Sequence, residues 1–491
     1  MDMIKREPQL ERLICEKTVQ FETEGALPSP DGRGVRSVLT SDARVVIAES
    51  ASEEGQVRIA GRIEVSVLAQ DDEGTVFSFE SYAGFTQIIP VEEAAPQMIA
   101  RVMASVQELE VSPKEDGAYM KASIDIALML SSCVPIAVFG GVNGASDVET
   151  REFRGVHASS KLVGRTSLRL REELPSEGAA RVVSSCGTVF VRDFSQSSEG
   201  AFVSGAVTVS AAVTDADGRL FQLVKQIPFR EMLDMEADTE GAYCEARLKR
   251  LYLRTVGEGF DLISMEAELE MTLRRMERNE LILPLDAFSP SCPFECVREK
   301  VAVLNAAGQG SAQTVIKENL ALPDTAPDMA QPLYASARPI VTDTVIDGGT
   351  LRASGVLMTD VVYESTGGNI NIVGFETPFG ISVEAEGADR ARVFASCTAF
   401  APACSERNVQ LQYSLAVECE LWSVNEVEAA VGIEETEPPE RRSGIAVCFT
   451  SDGETVFDIA KRYSLPCSLV REMCPDTEEP FGEGDKLMLI L

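Results

Sequence analysis

One 25-residue pattern occurs three times in this 491-residue chain and restricts its fold more than any other feature. The stretches GRIEVSVLAQDDEGTVFSFESYAGF, GAVTVSAAVTDADGRLFQLVKQIPF and GVLMTDVVYESTGGNINIVGFETPF align without a gap and begin at Gly61, Gly205 and Gly355. All three share a glycine at +13 and a phenylalanine at +24, which are Gly74, Gly218, Gly368, Phe85, Phe229 and Phe379. Three landmarks common to three copies indicate a repeated structural unit.

The repeated pattern is that of a β-hairpin. Apolar residues occupy even positions after the opening glycine, as Ile63, Val65 and Val67 do in the first copy, and this period of two is typical of a half-buried strand. The sequences DDEG, DADG and STGG then supply hairpin turn residues. Another alternating stretch follows each copy, for instance YMKASIDIALML after the first. We therefore predict a mainly β chain with three tandem β-sandwich or barrel-like repeat domains, at residues 1–137, 156–284 and 300–431.

Three stretches outside these domains have the composition of linkers. Residues 138–155 are rich in glycine and polar residues, and residues 285–300 contain paired prolines and cysteines. Residues 432–444, GIEETEPPERRSG, combine acids with Pro438 and Pro439, which stop a strand. We predict an acidic linker at 432–444 and a separate small domain after it.

The formal net charge of −34 limits the partners of the chain. A surface this negative repels nucleic acid and anionic lipid, and basic runs such as RLKRLYLR at 247–254 are interleaved with Leu and Tyr. The first residues, MDMIKREPQLERLICEKT, contain no apolar leader, and no run of 18 apolar residues occurs. We expect no nucleic-acid partner, no membrane insertion and a cytoplasmic location, where twelve irregularly spaced cysteines remain thiols.

No set of side chains predicts catalysis. A Ser-His-Asp or Cys-His arrangement needs a histidine, and the single one, His157, lies in the polar stretch RGVHASSK, where we expect a surface or linker residue. Cys292 and Cys296 form a tight pair without a second pair to complete a zinc site. The GGVNG sequence at 140–144 lacks the Lys-Ser/Thr of a phosphate loop. We predict no catalytic residue, metal or cofactor, although 78 Asp and Glu leave a carboxylate-only glycosidase open.

Residues 445–491, which we call the terminal unit, have a different pattern from the rest of the chain. IAVCF predicts a strand, and Thr455 with Asp458 forms a capping box that starts a helix. Pro466 separates this helix from a second helical stretch, CSLVREMC, and EGDKLMLIL predicts a closing strand. The apolar face of the first helix comprises Val456, Ile459, Ala460 and Tyr463. We therefore predict a small βααβ domain at 445–491.

The terminal unit resembles the LysM domain in the order and spacing of its motif residues, Gly453-Glu454-Thr455, Ile459-Ala460, Tyr463 and Gly484-Asp485-Lys486-Leu487. The resemblance implies binding of N-acetylglucosamine polymers, such as peptidoglycan, in a groove between two loops. The groove residues would be Ser451, Asp452, Gly453, Glu454, Thr455, Val456, Met473, Cys474, Pro475 and Asp476. Where the family usually has Asn-Pro, this chain has Cys474-Pro475 beside several acids, and aromatic platforms are few. A protein surface is therefore a second candidate ligand.

The three copies with their terminal unit resemble the SPOCS-domain proteins of endospore-forming bacteria, which carry G-x-V-x-V strands and a P-F near +24 ahead of a LysM domain. The resemblance implies a non-enzymatic scaffold of the mother-cell cytoplasm that helps the spore coat encase the forespore. It also implies that the LysM domain contacts a coat morphogenetic ATPase. The alternative hypothesis is a peptidoglycan-binding protein of the cell wall or cortex.

Overall fold

The computed structural model describes residues 2–197, 200–233, 242–257, 261–437, 444–475 and 479–490. The first part of the chain forms eight strands: β1 (Met3–Arg6), β2 (Arg12–Pro28), β3 (Ser37–Glu53), β4 (Gln56–Gln70), β5 (Val76–Pro90), β6 (Ile99–Lys114), β7 (Gly117–Ser132) and β8 (Val138–Val142). Strands β2 to β7 constitute copy 1 of the repeat. A short 3₁₀ turn, Pro30–Gly32, lies between β2 and β3.

Two further sets of six strands follow. Copy 2 consists of β9 (Glu149–Pro175), β10 (Arg181–Ser197), β11 (Gly200–Thr214), β12 (Leu220–Leu233), β13 (Ala242–Val256) and β14 (Leu262–Phe288). Copy 3 consists of β15 (Phe294–Ala321), β16 (Met329–Asp347), β17 (Thr350–Ser365), β18 (Ile370–Glu384), β19 (Arg390–Ser405) and β20 (Asn408–Glu435). The terminal unit contains β21 (Ile445–Phe449), α1 (Val456–Tyr463), α2 (Cys467–Met473) and β22 (Lys486–Ile490). The predicted mainly β fold class is confirmed.

Each copy is built from two three-stranded antiparallel sheets. In copy 2 the sheets have the orders β10-β11-β12 and β13-β14-β9, and copy 3 repeats them as β16-β17-β18 and β19-β20-β15. In copy 1, β3-β4-β5 faces β2-β7-β6, and the latter joins the copy 3 sheet through one residue pair, Val303 with Arg12. Ile63 and Val65 of β4 share a core with Ile124 of β7, so the two sheets enclose apolar side chains between them.

The sequence landmarks have the same structural role in every copy. The opening glycine pairs across the sheet with the phenylalanine at +24, as Gly355 does with Phe379, Gly205 with Phe229 and Gly61 with Phe85. A Cβ at Gly355 would lie 2.9 Å from Cε1 of Phe379, because the ring covers the glycine. The hairpin glycines Gly74, Gly218 and Gly368 have φ values of +84°, +82° and +78°, a region that favours glycine.

The three copies contact one another through equivalent positions. The strand that precedes the repeat hairpin, which is β3, β10 or β16, has a β-bulge at the same place in every copy. The bulged residues are Leu39, Val183 and Leu333. These bulge residues and the residues at +7 and +15 from the opening glycines form one apolar cluster, the axial cluster: Leu39, Val183, Leu333, Leu68, Ala212, Val362, Val76, Leu220 and Ile370. Because each copy supplies the same three positions, the copies are arranged around a pseudo-threefold axis.

The two stretches between the repeats are largely strands, which corrects the prediction of linkers at 138–155 and 285–300. β8 lies within the first stretch, β9 begins at Glu149, β14 runs to Phe288 and β15 begins at Phe294. Val138, Phe139 and Phe294 are buried in clusters that combine β8, β14, β15 and β20. The burial of these apolar residues outweighs the local glycine and proline content. Residues 438–443 of the predicted acidic linker lie outside the described residues.

The terminal unit has the predicted βααβ order and packs against the strands that connect the copies. β21 and β22 pair antiparallel, and both helices cover one face of this two-stranded sheet. Val456, Ile459 and Leu489 of its core share a cluster with Phe288 at the end of β14. The core of the terminal unit therefore includes a side chain from copy 2.

Candidate functional site

The first predicted groove segment, 451–456, is a loop that caps α1. The Ser451 N–H donates to Glu454 Oε2 (2.8 Å), and Gly453 has a φ of +79°, which favours glycine at this turn. The N–H and the hydroxyl of Thr455 both donate to Asp458 Oδ2, at 3.0 and 2.8 Å. These bonds satisfy groups at the helix N-terminus, so local sequence chemistry fixes the loop.

The second predicted segment, 473–476, follows α2. Met473 Sδ accepts from the N–H of Ile490 (3.3 Å), which ties the helix end to β22. Cys474 is half-buried, and burial raises the pKa of its thiol, so it packs as a small apolar group and not as a thiolate. Pro475 is exposed, and Asp476 lies outside the described residues.

The structure ties the first segment to residues that the sequence analysis did not select. Phe481 N–H donates to Glu454 O (2.8 Å), Gly453 N–H donates to Phe481 O (3.0 Å), and Val456 N–H donates to Glu479 Oε2 (3.1 Å). Phe481 is 1% exposed and belongs to the core of the unit. In the sequence, Phe481 could be recognised only as an isolated apolar residue between Pro480 and Gly482.

Ion pairs fix α1 on the connecting strands of copies 2 and 3. Lys461 Nζ lies 2.7 Å from both carboxylate oxygens of Asp286, which is 6% exposed and also pairs with Arg298 at 2.9 Å. Arg151 pairs with Asp458 at 2.6 Å. Although burial raises the pKa of Asp458, hydrogen bonds from Arg151 and Thr455 outweigh it and hold the pKa below its usual value. Two charged side chains of α1, Asp458 and Lys461, are therefore used in docking the terminal unit.

The aromatic ring next to the first segment is engaged in the same docking contact. Phe457 packs edge-on against Phe288 with 5.2 Å between ring centroids, and the guanidinium of Arg151 lies 4.6 Å above the Phe457 ring. The Arg151 side chain also donates to the Thr455 hydroxyl (2.8 Å). A ring packed in this way is not a platform for stacking a sugar.

The terminal unit exposes a second face that the sequence analysis did not identify, the outer face of the β21/β22 pair. Cross-strand pairing joins Ile445 with Ile490 and Val447 with Met488, and Phe449 continues the row. These five side chains, which we call the outer ribbon face, are 71%, 63%, 48%, 62% and 64% exposed. We estimate on the order of 600 Å² of contiguous apolar surface, a size typical of interaction sites.

His157, which was considered as a catalytic candidate, has a structural role. His157 is buried, 6% exposed, which corrects the prediction of a surface or linker histidine. Its Nε2 accepts from the Glu11 N–H, and its Nδ1 lies 3.3 Å from Asn305 Oδ1, so this imidazole connects three segments of the fold. Its polar sequence neighbours concealed this position, because alternate residues of β9 face solvent.

The cysteine pair does not form a reactive site. Cys296 donates to the carbonyl of Ala287 (3.6 Å), and burial, with the charge of Asp286, raises the pKa of its thiol to about 11. A thiol with this pKa is a poor nucleophile at neutral pH. Among the described residues, no group of three or more His, Cys, Asp or Glu side chains could hold a metal ion.

The structure thus defines a class of protein: three double-sheet β copies around a common axis, with a docked βααβ unit and an exposed apolar ribbon. Residues 34–114 match the family model described as SipL, SPOCS domain. This span includes β3 to β6 of copy 1. The chain therefore carries a SPOCS domain at these residues, which confirms the SPOCS resemblance for copy 1 and links the chain to sporulation. The SPOCS family is not a known enzyme family.

No curated protein and no solved structure matches the chain. None of the helices in the described residues is long and apolar enough to cross a membrane.

Proposed function

We propose that the chain is a non-enzymatic scaffold and adaptor in spore coat assembly. The SPOCS domain supports a role in sporulation, and the groups with catalytic potential are engaged in packing, as His157 and Cys296 are. Copies 2 and 3 repeat the strand order and landmarks of copy 1, so we extend the SPOCS-like assignment to 156–284 and 300–431.

The observation that carries this proposal is the outer ribbon face. On both β21 and β22, large exposed apolar side chains alternate with buried ones, and the exposed side chains form a continuous surface. Soluble proteins rarely expose an apolar patch of this size unless it binds a partner. The unit is docked through α1, on the opposite side of its small sheet from this face. Such a surface favours a protein ligand over a glycan, because glycan sites need hydrogen-bonding groups beside aromatic platforms.

The partner we propose is a coat morphogenetic ATPase, reached through the LysM-like terminal unit. This identification rests on the family resemblance of 445–491. The chain would then link coat layers to the forespore surface from the mother-cell cytoplasm. Peptidoglycan binding in the groove of Ser451–Val456 and Met473–Asp476 is the alternative, and the LysM-like motif alone supports it.

The test uses the full chain, because the core of the terminal unit includes Phe288 of copy 2. Purified coat morphogenetic ATPase and purified peptidoglycan are offered separately to the wild type and to Val447→Asp. We expect the wild type to bind the ATPase and not to sediment with peptidoglycan. Val447→Asp should weaken ATPase binding at least about tenfold, since it places a charge in the apolar patch.

Val345→Asp is the matched control, because Val345 is 50% exposed on β16 and Val447 is 48% exposed. The control should bind the ATPase as the wild type does. Sedimentation of the wild type with peptidoglycan, without ATPase binding, would support the alternative function. Equal loss of ATPase binding in both variants would argue against the ribbon as the contact surface.

A further inference from the structure

A second candidate site lies far from the terminal unit, in a cleft between copies 1 and 3. The cleft has a volume of about 640 Å³, within the range of ligand sites. Copy 1 contributes β2, β6 and β7, and copy 3 contributes β16, β19 and one side chain of β20. β6 and β19 are the end strands of one sheet, so in the described part of the chain neither has a strand hydrogen-bonded to its outer edge.

The β20 side chain in this cleft is Trp422, the one tryptophan of the protein. It is 8% exposed, and its indole Nε1 is buried without a hydrogen-bond partner in the described residues. A buried donor left unpaired costs about 1–3 kcal/mol. Its position in a cleft wall therefore indicates that the cleft is suited to an acceptor.

A second buried donor lies beside Trp422. Arg392 on β19 is also 8% exposed, and its guanidinium carbon lies 5.9 Å from the Trp422 ring centroid. Its bonds to Glu420 Oε2 and to Arg101 O are both 3.4 Å long, beyond the usual range for such donors. Burial lowers the pKa of Arg392 despite the nearby Glu420 charge, which is consistent with a guanidinium short of acceptors.

The remaining charges of the cleft are nearly balanced. Arg390 pairs with Glu16 at 3.5 Å, and Lys17 donates to the Pro90 carbonyl (3.0 Å). Asp125 is the other acid in the wall, and burial raises its pKa. With Arg392 included, three cations and two acids line the cleft, and Glu420 beside Arg392 balances them, so the cleft is close to neutral although the whole protein is acidic.

We propose that this cleft binds an extended peptide segment through a carboxylate side chain that accepts hydrogen bonds from Trp422 Nε1 and the Arg392 guanidinium. The two donors match the two oxygens of a carboxylate, and a guanidinium binds carboxylates well. The segment is extended because the cleft walls include β6 and β19, two end strands with no strand hydrogen-bonded to their outer edges in the described residues, and such edges accept added strands.

The test uses the full chain and three acetylated, amidated nonapeptides that alternate Val with Glu, Gln or Lys. Trp422 reports directly, because one tryptophan gives one indole N–H resonance and one emission band. We expect the Glu peptide to shift both signals in a saturable manner. The Gln peptide should bind about tenfold more weakly, since it lacks the charge, and the Lys peptide should not bind.

Arg392→Lys keeps the charge but removes the planar pair of donors, and it should weaken binding of the Glu peptide about tenfold. Arg171→Lys is the control, since Arg171 is 72% exposed in an ion pair on copy 2, and it should bind as the wild type does. Because Arg392→Lys could unfold locally, Trp422→Phe is assayed in parallel with a fluorescent Glu peptide. Any one of three results would overturn the proposal. The Glu and Gln peptides could bind equally, the Trp422 signals could stay unchanged, or both cleft variants could bind the Glu peptide as the wild type does.

Discussion

Replacing Gly355 with alanine tests why the repeat requires glycine at its first landmark. A Cβ at this position would overlap the carbonyl oxygen of Ile340 on the neighbouring strand and lie 2.9 Å from Cε1 of Phe379. Neither obstacle can move freely, because the carbonyl belongs to a strand in the sheet and Phe379 is 6% exposed in the core of copy 3. The strands must separate locally to accept the methyl group.

The magnitude follows from these contacts. Overpacking a core typically costs about 1–3 kcal/mol, and weakening a local hydrogen bond adds about 1 kcal/mol. The lower backbone entropy of alanine in the unfolded chain offsets about 0.5–1 kcal/mol. We therefore expect Gly355→Ala to lower the free energy of unfolding of copy 3 by about 1–3.5 kcal/mol. That loss corresponds to a fall of about 0.5–2 M in the urea midpoint.

Gly380→Ala is the matched control. Gly380 lies on β18 opposite Ser354, next to the landmark pair, and a Cβ there meets nothing within 4 Å. Neither glycine has left-handed backbone, so the two variants differ in available space and not in conformation. The control should be neutral or stabilised by up to about 1 kcal/mol.

Urea unfolding followed by Trp422 fluorescence is the assay, because Trp422 lies on β20 in copy 3. Phe379→Leu shortens the ring that covers the glycine, so its effect should not add to that of Gly355→Ala. Equal urea midpoints for Gly355→Ala and Gly380→Ala would refute the steric explanation, and additive effects of Gly355→Ala and Phe379→Leu would exclude the ring as part of it.

Two further predictions concern charges. Asp286→Asn removes the buried negative charge that pairs with Lys461 and Arg298. It should weaken docking of the terminal unit by about 2 kcal/mol, seen as faster proteolysis after residue 435, with Asp347→Asn as an exposed control. Burial and the charge of Glu245 raise the pKa of Glu418 to about 7, so its contribution to stability is present below about pH 4.5 and is lost as pH rises to 7. Glu418→Gln should therefore be more stable than wild type by about 1–3 kcal/mol at pH 8 and nearly equal at pH 4 in urea unfolding; an unchanged difference across this range would contradict the assigned pKa.

The regular features of the repeat could be predicted from sequence, because they depend on local rules. Alternation in Ile63, Val65 and Val67 indicated a strand with one buried face, and the hairpin glycines marked their turns. The capping residues Thr455 and Asp458 likewise predicted the start of α1 correctly. Each of these signals lies within a few residues of the element that it determines.

The arrangement of the copies could not be predicted, because it depends on contacts between distant residues. A bulge such as that at Leu333 shifts side-chain alternation by one residue, and no local composition reveals it. The pairing of Asp286 with Lys461 spans 175 residues. The linker predictions were wrong for a related reason: glycine and proline are obvious in a sequence, whereas the long-range packing that buries Val138 and Phe139 is not.

The axial cluster indicates that the copies depend on one another. An isolated copy 3 would expose Leu333, Val362 and Ile370, and the exposure of three such side chains removes on the order of 5 kcal/mol of stabilisation. That amount is comparable to the whole stability of a small domain. His157 adds a polar contact between copies 2 and 3, to Asn305 of β15. The same arrangement of copies forms the cleft at Trp422 between copies 1 and 3, whereas the outer ribbon face is formed by β21 and β22 of a unit that is docked on copy 2.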